Sequence, residues 1–233
     1  MKQLLYISII FNLLGLIACS IIVYKLGGIT KVMYKIRGKH MLSKIDHRQS
    51  QFINSPVSLG AVIFLGDSIT EYGEWSELFP DHKILNRGIS GDGIKGVYSR
   101  LDEINRHDPQ AILLMIGVND LCYHSPETVI DQYNELLNKL LSRYKVDQIR
   151  VQSILPVNND IYKTGTDNIA IDKVNYALSL QCDRLGLVYI DLNTPFKDKN
   201  NNLKQSFSSD GIHINGIAYN KWKQVITPWL SEL

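Results

Sequence analysis

Apolar residues in this chain form short continuous runs that alternate with longer segments of helical periodicity. The runs are rich in aliphatic and β-branched residues, and they predict five strands. These strands cover residues 61–65, 83–85, 111–116, 149–154 and 187–192. Between and after them, apolar residues recur every three or four positions, which predicts helices. The helices cover residues 94–104, 127–144, 169–185 and 216–230.

The order of these elements predicts the architecture. Parallel strands need long crossover connections, and the helices supply them, so the alternation predicts a parallel sheet with helices on both faces. The continuous apolar character of most runs agrees with strands that are covered on both sides. The sequence therefore predicts one three-layer α/β/α domain with a five-stranded parallel sheet over residues 46–233.

A second kind of apolar run lies at the amino terminus. Residues 4–24 are 21 consecutive residues without a charge, and Lys2 and Lys25 lie on either side of them. A helix of this length rises about 31 Å, which is enough to cross the hydrocarbon core of a bilayer. We therefore predict an N-terminal transmembrane helix, as a membrane anchor or signal segment within residues 1–24. A basic juxtamembrane connector is predicted over residues 25–45.

Composition and charge exclude several classes of function. The net charge of +2 is too small for a nucleic-acid-binding face, and the body of the chain has no stripe of basic residues with interleaved aromatic residues. The three cysteines form no CxxC pair, and no two of the six histidines lie four residues apart, so neither pattern predicts a metal site. The sequence predicts no metal, no cofactor and no nucleic-acid partner.

Residues with catalytic potential follow the predicted strands, where an open parallel sheet binds its ligands. The first strand leads into Gly-Asp-Ser-Ile-Thr at 66–70, the second into Asn-Arg-Gly-Ile-Ser-Gly-Asp at 86–92, and the third into Gly-Val-Asn-Asp at 117–120. An Asp-Gly-Ile-His segment lies at 210–213, close to the carboxyl terminus. Each segment alone is also typical of an ordinary turn, and their joint order favours a catalytic interpretation.

A serine nucleophile needs a base, and the base needs a group that orients it. We assign these roles to Ser68, His213 and Asp210, because the three-residue spacing lets one turn bring the Asp210 carboxylate against the imidazole. Acyl transfer also needs donors for the oxyanion that develops on the attacked carbonyl. The candidates are the backbone N–H of Ser68, the backbone N–H of Gly88 and the side-chain amide of Asn119.

These four segments, in this order, resemble the four sequence blocks of the SGNH or GDSL hydrolase superfamily, whose first name refers to Ser, Gly, Asn and His. The matching residues are Ser68, Gly88, Asn119 and His213, and the resemblance extends over residues 46–230. The first two segments are similar to the branch that contains the catalytic subunits of platelet-activating-factor acetylhydrolase and many bacterial acyl esterases. The resemblance implies a flavodoxin-like fold, no metal, and ester hydrolysis through an acyl-enzyme.

The residues and the resemblance together predict a serine esterase. Its expected substrates are short acyl or acetyl esters of carbohydrates, or lysophospholipids. Transfer of the acyl group to a sugar or lipid acceptor by the same serine is the alternative that the residues leave open. A binding module that has kept the fold without catalysis is a further hypothesis, although all four catalytic positions are intact. The oligomeric state stays open.

Two features of the N-terminal region disagree about the side of the membrane on which the domain lies. Seven basic residues lie between positions 25 and 48 and only Lys2 precedes the apolar run, which favours a cytoplasmic domain by the positive-inside rule. Export is favoured by the family resemblance, since many members are exported, and by Leu-Ile-Ala-Cys at 16–19, which resembles a bacterial lipobox. The orientation and the cleavage of the N-terminus are therefore left open.

Overall fold

The computed structural model describes residues 2–25 and 44–233 of the chain. Most of the predicted connector, residues 25–45, lies outside the described residues. The chain divides into two compact units, Met1–His47 and Arg48–Leu233. The second unit contains every residue of the predicted site.

The amino-terminal unit contains helix α1, Lys2–Lys25. In the part of the chain that the structure describes, no helix has both the length and the hydropathy that a membrane crossing requires. The structure thus agrees with a helix at residues 4–24 and gives no support to the prediction that this helix is transmembrane.

Five parallel strands form the central sheet of the second unit, in the order β2-β1-β3-β4-β5. The strands are β1 Val62–Gly66, β2 Ile84–Gly88, β3 Ala111–Met115, β4 Ile149–Gln152 and β5 Val188–Ile190. Both β1 and β3 are buried along their whole length. Because successive side chains of a strand point to opposite faces, this burial means that both faces of the sheet are covered. The predicted α/β fold with five parallel strands is confirmed.

Helices connect the strands and cover the sheet. They are α2 at residues 44–54, α3 Ser68–Glu71, α4 Trp75–Leu78, α5 Ile94–Ser99, α6 Leu101–Asn105, α7 Val118–Leu121, α8 Pro126–Leu141, α9 Asn168–Leu185, α10 Asn193–Phe196 and α11 Gly216–Leu230. The Ser125 side chain caps α8 by accepting the N–H of Thr128, and Pro126 lies in the first turn of this helix. Both features are typical helix-start signals.

An aromatic cluster joins the sheet to the helices on one side. Phe64 of β1 stacks on Trp75 of α4 with ring centroids 4.2 Å apart, and Trp75 lies edge-on to Trp222 of α11 at 4.8 Å. Both indole N–H groups are bonded inside the cluster, to Thr70 O at 2.8 Å and to Gln152 Oε1 at 2.7 Å. Helix α8 packs against both α5 and α9, and these three helices form a second group.

One predicted helix is two helices in the structure. The sequence predicts a helix over residues 94–104, but α5 and α6 are separated at Arg100, whose φ of −108° and ψ of 13° are not helical. The guanidinium of Arg100 turns into the protein and reaches Asp92 and Gly66. The helical periodicity is correct on both sides of Arg100, and these two contacts account for the break.

Two predicted strands end two residues earlier than the apolar pattern indicates. The strand predicted over residues 149–154 ends before Ser153, and the one predicted over 187–192 is shorter at both ends. The Ser153 hydroxyl accepts the N–H groups of Leu192 and Asn193 at 2.8 Å each. Beyond the ends of β4 and β5, these side-chain hydrogen bonds therefore take the place of regular pairing between the strands.

Candidate active site

Ser68 lies two positions after the end of β1, at the first position of the short helix α3. Asp67 caps this helix, because its carboxylate accepts the backbone N–H of Ile69 at 2.9 Å. The sharp passage from strand to helix puts Ser68 at the carboxyl edge of the sheet, with 7% of its surface exposed. Open α/β sheets bind their ligands at this edge.

A series of hydrogen bonds links Ser68 to His213 and Asp210. Ser68 Oγ lies 2.9 Å from His213 Nε2, and His213 Nδ1 lies 2.7 Å from Asp210 Oδ2. The other carboxylate oxygen of Asp210 accepts the backbone N–H of Ile212 at 3.0 Å and that of His213 at 2.8 Å. The structure therefore brings together the three residues that the sequence analysis grouped.

The hydrogen bonds around Asp210 determine its ionisation. Burial raises the pKa of this carboxyl, but the hydrogen bonds from the His213 ring and from the N–H groups of Ile212 and His213 outweigh it and leave the pKa below its usual value. Asp210 is thus ionised near neutral pH. An ionised carboxylate accepts Nδ1–H, which leaves Nε2 of the neutral imidazole free to accept the Ser68 proton.

Helix α11 fixes the loop that carries His213. Asn215 caps this helix by accepting the N–H of Ala218 at 3.2 Å. One turn further, the Tyr219 hydroxyl donates to the carbonyl oxygen of Ile69 at 2.6 Å. The C-terminal helix is thereby bonded to α3, next to Ser68.

The three predicted oxyanion donors differ in availability. In the described part of the chain, the backbone N–H of Ser68 has no hydrogen-bond partner. The Asn119 side-chain amide donates one N–H to Asp92 O at 2.9 Å, and an amide has a second. The N–H of Gly88 is already bonded, to Asn86 Oδ1 at 2.9 Å. Gly88 is therefore not a free donor in this structure, and the prediction for it needs correction.

Gly88 has a packing role, and a neighbouring glycine is better placed as a donor. A Cβ atom at position 88 would lie 2.1 Å from the backbone nitrogen of Glu71, so glycine lets the end of β2 pack on α3. Gly91 has φ +79°, and among the described residues its N–H has no partner. It directly precedes Asp92, whose carbonyl holds the Asn119 amide. Gly91 therefore replaces Gly88 as the candidate donor.

Two polar side chains that the motifs did not single out support helix α3, which begins at Ser68. Asn86 Nδ2 donates to the carbonyl oxygens of Thr70, Glu71 and Gly73 at 3.1, 2.9 and 3.1 Å. Glu71 Oε2 accepts the backbone N–H of Ser90 at 2.6 Å and its hydroxyl at 2.5 Å. The sequence could have indicated Asn86, because this polar residue directly follows the predicted second strand.

Three carboxyl groups close to the site are buried, namely Asp67, Asp92 and Asp120. Burial raises the pKa of all three. For Asp67 the pKa reaches about 7, because burial and repulsion by Asp92 and Asp120 outweigh the hydrogen bond from Ile69. Within residues 2–25 and 44–233, no group of three or more His, Cys, Asp or Glu side chains is arranged to hold a metal ion.

An exposed aromatic ring borders the site. The rings of Tyr72 and His213 have centroids 5.2 Å apart and are inclined at 40°. Tyr72 is 52% exposed, and Ser90 Oγ lies 3.4 Å from its hydroxyl. The Tyr72 ring therefore forms part of the wall next to the imidazole.

The order of these segments along the chain matches a known family. A sequence model of the GDSL-like Lipase/Acylhydrolase family matches residues 64–221, which include Ser68, Asp210 and His213. This chain belongs to that family. The resemblance predicted from the four motifs is thereby confirmed, and this GDSL hydrolase is an enzyme that hydrolyses esters.

This GDSL hydrolase is similar to one curated protein and to two solved structures that are described here. The platelet-activating factor acetylhydrolase IB subunit alpha2 of Rattus norvegicus is 27% identical over 167 residues, which cover 69% of this chain and 71% of that protein. A Streptococcus pneumoniae structure, described as that of a candidate platelet activating factor, has a TM-score of 0.76 at 22% identity and covers 85% of this chain and 98% of its own. The acetyl xylan esterase AlAXEase has a TM-score of 0.62 at 20% identity and covers 74% of this chain and 100% of its own. The two structures share the fold of this chain.

Proposed function

We propose that this GDSL hydrolase is a serine esterase that removes short acyl groups, acetyl above all, from carbohydrate esters. In this proposal Ser68 is the nucleophile, His213 is the general base and Asp210 orients the imidazole. The observation that carries it is the pair of hydrogen bonds, 2.9 Å from Ser68 Oγ to His213 Nε2 and 2.7 Å from His213 Nδ1 to Asp210 Oδ2. Proton transfer from a nucleophile to an oriented base requires distances of this kind.

Acylation follows from this geometry. Ser68 Oγ attacks the carbonyl carbon of the ester while its proton moves to His213 Nε2, and the carbonyl oxygen becomes an oxyanion. The donors for this oxyanion are the N–H groups of Ser68 and Gly91 and the second amide N–H of Asn119. Collapse breaks the bond to the alcohol oxygen, which takes the proton from His213 and leaves as the free alcohol.

Water then hydrolyses the acyl-enzyme with the same residues. His213 takes a proton from water as the oxygen attacks the acyl carbon, and the new oxyanion binds to the same donors. Collapse releases the carboxylic acid and returns the proton to Ser68 Oγ. The ionised Asp210 stabilises the imidazolium in both halves of the reaction.

The surroundings of His213 support a carbohydrate as the alcohol part. His213 protonates the leaving alcohol, so this part of the ester passes next to the Tyr72 ring, 5.2 Å from the imidazole. A flat and half-exposed aromatic ring with a polar neighbour, Ser90, suits the apolar face of a sugar ring. The names of two similar proteins, an acetylhydrolase and an acetyl xylan esterase, support acetyl as the acyl group.

The test is an activity screen of the full chain. Substrates are nitrophenyl esters from acetate to dodecanoate, acetylated xylan and a lysophospholipid. We expect kcat/KM to be highest for acetate within the ester series, and acetate to be released from the xylan. Activity confined to long acyl chains would contradict the proposal.

The matched variant for this screen is Ser68→Ala. It should fold like the wild type and lose about a million-fold in turnover, because only the attacking oxygen is removed. A folded Ser68→Ala enzyme that keeps more than a small fraction of the activity would exclude Ser68 as the nucleophile.

A further inference from the structure

We propose that Arg100 is a positioning residue of this enzyme, because its guanidinium joins the turn that carries Ser68 to the loop that orients the Asn119 amide. The inference rests on the proposed esterase function, in which Asn119 donates to the oxyanion. It assigns a role to a side chain that makes no hydrogen bond to Ser68 or His213.

Arg100 makes two hydrogen bonds, one to each side of the site. Its Nε donates to Asp92 Oδ2 at 2.9 Å, and its Nη2 donates to the carbonyl oxygen of Gly66 at 3.1 Å. Gly66 is the last residue of β1 and lies two positions before Ser68. Asp92 belongs to the loop that follows β2. One rigid, planar group thus bridges the two segments and fixes their separation.

Asp92 passes this constraint on to Asn119. Its carbonyl oxygen accepts the Asn119 side-chain N–H at 2.9 Å, and its carboxylate is held by Arg100 and by the N–H of Gly93 at 3.0 Å. The amide of Asn119 is therefore oriented by a residue whose own position depends on Arg100. Because the amide is planar, the bond to Asp92 also determines the direction of the second N–H, the proposed oxyanion donor.

Stability alone is a weak reason for a charged pair at this place. The side chains of Arg100 and Asp92 are 5% and 3% exposed. The free energy of burying two charges is similar to the gain from their attraction, so an apolar pair of the same volume is often as stable. In the described part of the chain, Arg100 Nη1 has no hydrogen-bond partner, which adds to the cost. The benefit of the arginine is therefore its geometry.

The chain contains a matched control for a buried arginine pair. Arg87 Nε lies 3.1 Å from both carboxylate oxygens of Glu103, and these side chains are 6% and 7% exposed. Arg87 has no hydrogen bond to Asp92, Gly66 or Asn119. Loss of Arg87 therefore removes a comparable buried pair without releasing the proposed oxyanion donor.

The experiment compares Arg100→Met, Arg87→Met, Asn119→Ala and the double variant Arg100→Met/Asn119→Ala in the full chain. It measures kcat and KM on nitrophenyl acetate, the rate at which a fluorophosphonate labels Ser68, and the thermal midpoint. Arg100→Met should lower kcat and the labelling rate about 10- to 100-fold with KM within about threefold, since it impairs one oxyanion donor. Arg87→Met and Arg100→Met should lower the thermal midpoint by similar amounts, because each removes one buried ion pair. Arg87→Met should change kcat by less than about threefold.

The double variant and Arg100→Lys separate positioning from a general loss of structure. If Arg100 acts through Asn119, the double variant is no slower than Asn119→Ala, because the group that Arg100 positions is already absent. Arg100→Lys should recover part of kcat, since an ammonium can still hold one of the two partners. If Arg100→Met does not fold, Asp92→Asn weakens the same pair and takes its place in the cycle. Multiplicative losses, an equal fall of kcat in Arg87→Met, or a wild-type kcat in Arg100→Met would overturn the inference.

A failure of the proposed function gives a different result. A folded wild-type chain that neither hydrolyses nitrophenyl acetate nor reacts with the fluorophosphonate contradicts the esterase proposal, and the positioning role with it. A wild-type chain that does both, with variants that show no coupling between positions 100 and 119, contradicts the role of Arg100 alone.

Discussion

Gly88 and Gly91 show, at the scale of single residues, how one hydrogen bond decides a role. Both belong to the same motif, and both have a backbone N–H at the carboxyl edge of the sheet. The Gly88 N–H is bonded to Asn86 at 2.9 Å, whereas that of Gly91 has no partner among the described residues. Which of the two N–H groups is free depends on the orientation of the Asn86 side chain, and the spacing of residues in the sequence does not predict that orientation. The contact between Ser68 and His213 was easier to predict, because nucleophile chemistry restricts the residue types that are paired in this way.

The Asn119 amide provides the first prediction at this scale. Asn119→Ala should lower kcat about 100- to 1000-fold, because it removes a donor that acts mainly on the oxyanion. KM should change much less, and steady-state kinetics on nitrophenyl acetate measure both constants. Aspartate has the shape of asparagine but no side-chain N–H, so Asn119→Asp should be at least as slow as Asn119→Ala. A variant whose only defect is a raised KM would assign Asn119 to ground-state binding.

Asp67 makes the stability of the folded state depend on pH. Burial raises its pKa from 3.8 to about 7 in the folded protein, and unfolding returns it to its ordinary value. Between these two values the folded state binds more protons than the unfolded state, so the free energy of unfolding falls as the pH rises from about 4 to about 7. The contribution of protonated Asp67 is therefore complete below this window and lost above it.

Urea denaturation of the wild type and of Asp67→Asn at about pH 5 and about pH 8 tests this dependence. Asparagine keeps an oxygen that can accept the Ile69 N–H and removes the titrating group. The wild type should lose more stability than Asp67→Asn between the two pH values. Equal losses in the two proteins would show that Asp67 does not titrate in this range.

At the scale of elements, apolar patterns predicted most of the sheet and the longer helices. The last helix begins and ends at the predicted residues, Gly216–Leu230, because its apolar face is continuous. Two of the errors occur at Arg100 and Ser153, where a polar side chain bonds to residues far away in the sequence. A local pattern contains no information on such partners.

Helix α2 was not predicted, and its contacts determine how far the chain can be shortened. Arg48 Nε lies 3.3 Å from Glu71 Oε1, and Glu71 holds Ser90. Phe52 is buried, with the guanidinium groups of Arg48 and Arg87 4.7 and 4.5 Å from its ring centroid. From Arg48 onward this helix is therefore part of the second unit, Arg48–Leu233.

Two deletions test this division. Removal of residues 1–40 should leave kcat/KM on nitrophenyl acetate within about threefold of the full chain, because none of the contacts above is lost. Removal of residues 1–55 exposes the surface that Phe52 covers, so it should lower the thermal midpoint and kcat together. A chain without residues 1–40 that is inactive or aggregated would show that the first unit is required by the second.

At the scale of the whole molecule, sequence and structure differ over residues 4–24. Their uncharged run predicts a membrane anchor, and the described helices give that anchor no support. We expect from the run that the full chain sediments with membranes and that a chain without residues 1–40 does not. A full chain that stays in the high-speed supernatant would remove the anchor from the description of this protein. If it sediments, single cysteines near residue 50, with Cys19, Cys122 and Cys182 replaced, would report the side by reaction with an impermeant reagent.

Ser68 and the base proposed for it, His213, lie far apart in the chain, since 145 positions separate them. Synthesis proceeds from the amino terminus, so the elements around Ser68 are made first. His213 is made later, together with α11, whose Tyr219 bonds to Ile69. On the proposed mechanism, a growing chain therefore carries the Ser68 hydroxyl before its base is made, and hydrolysis begins only after His213 and α11 have joined the fold.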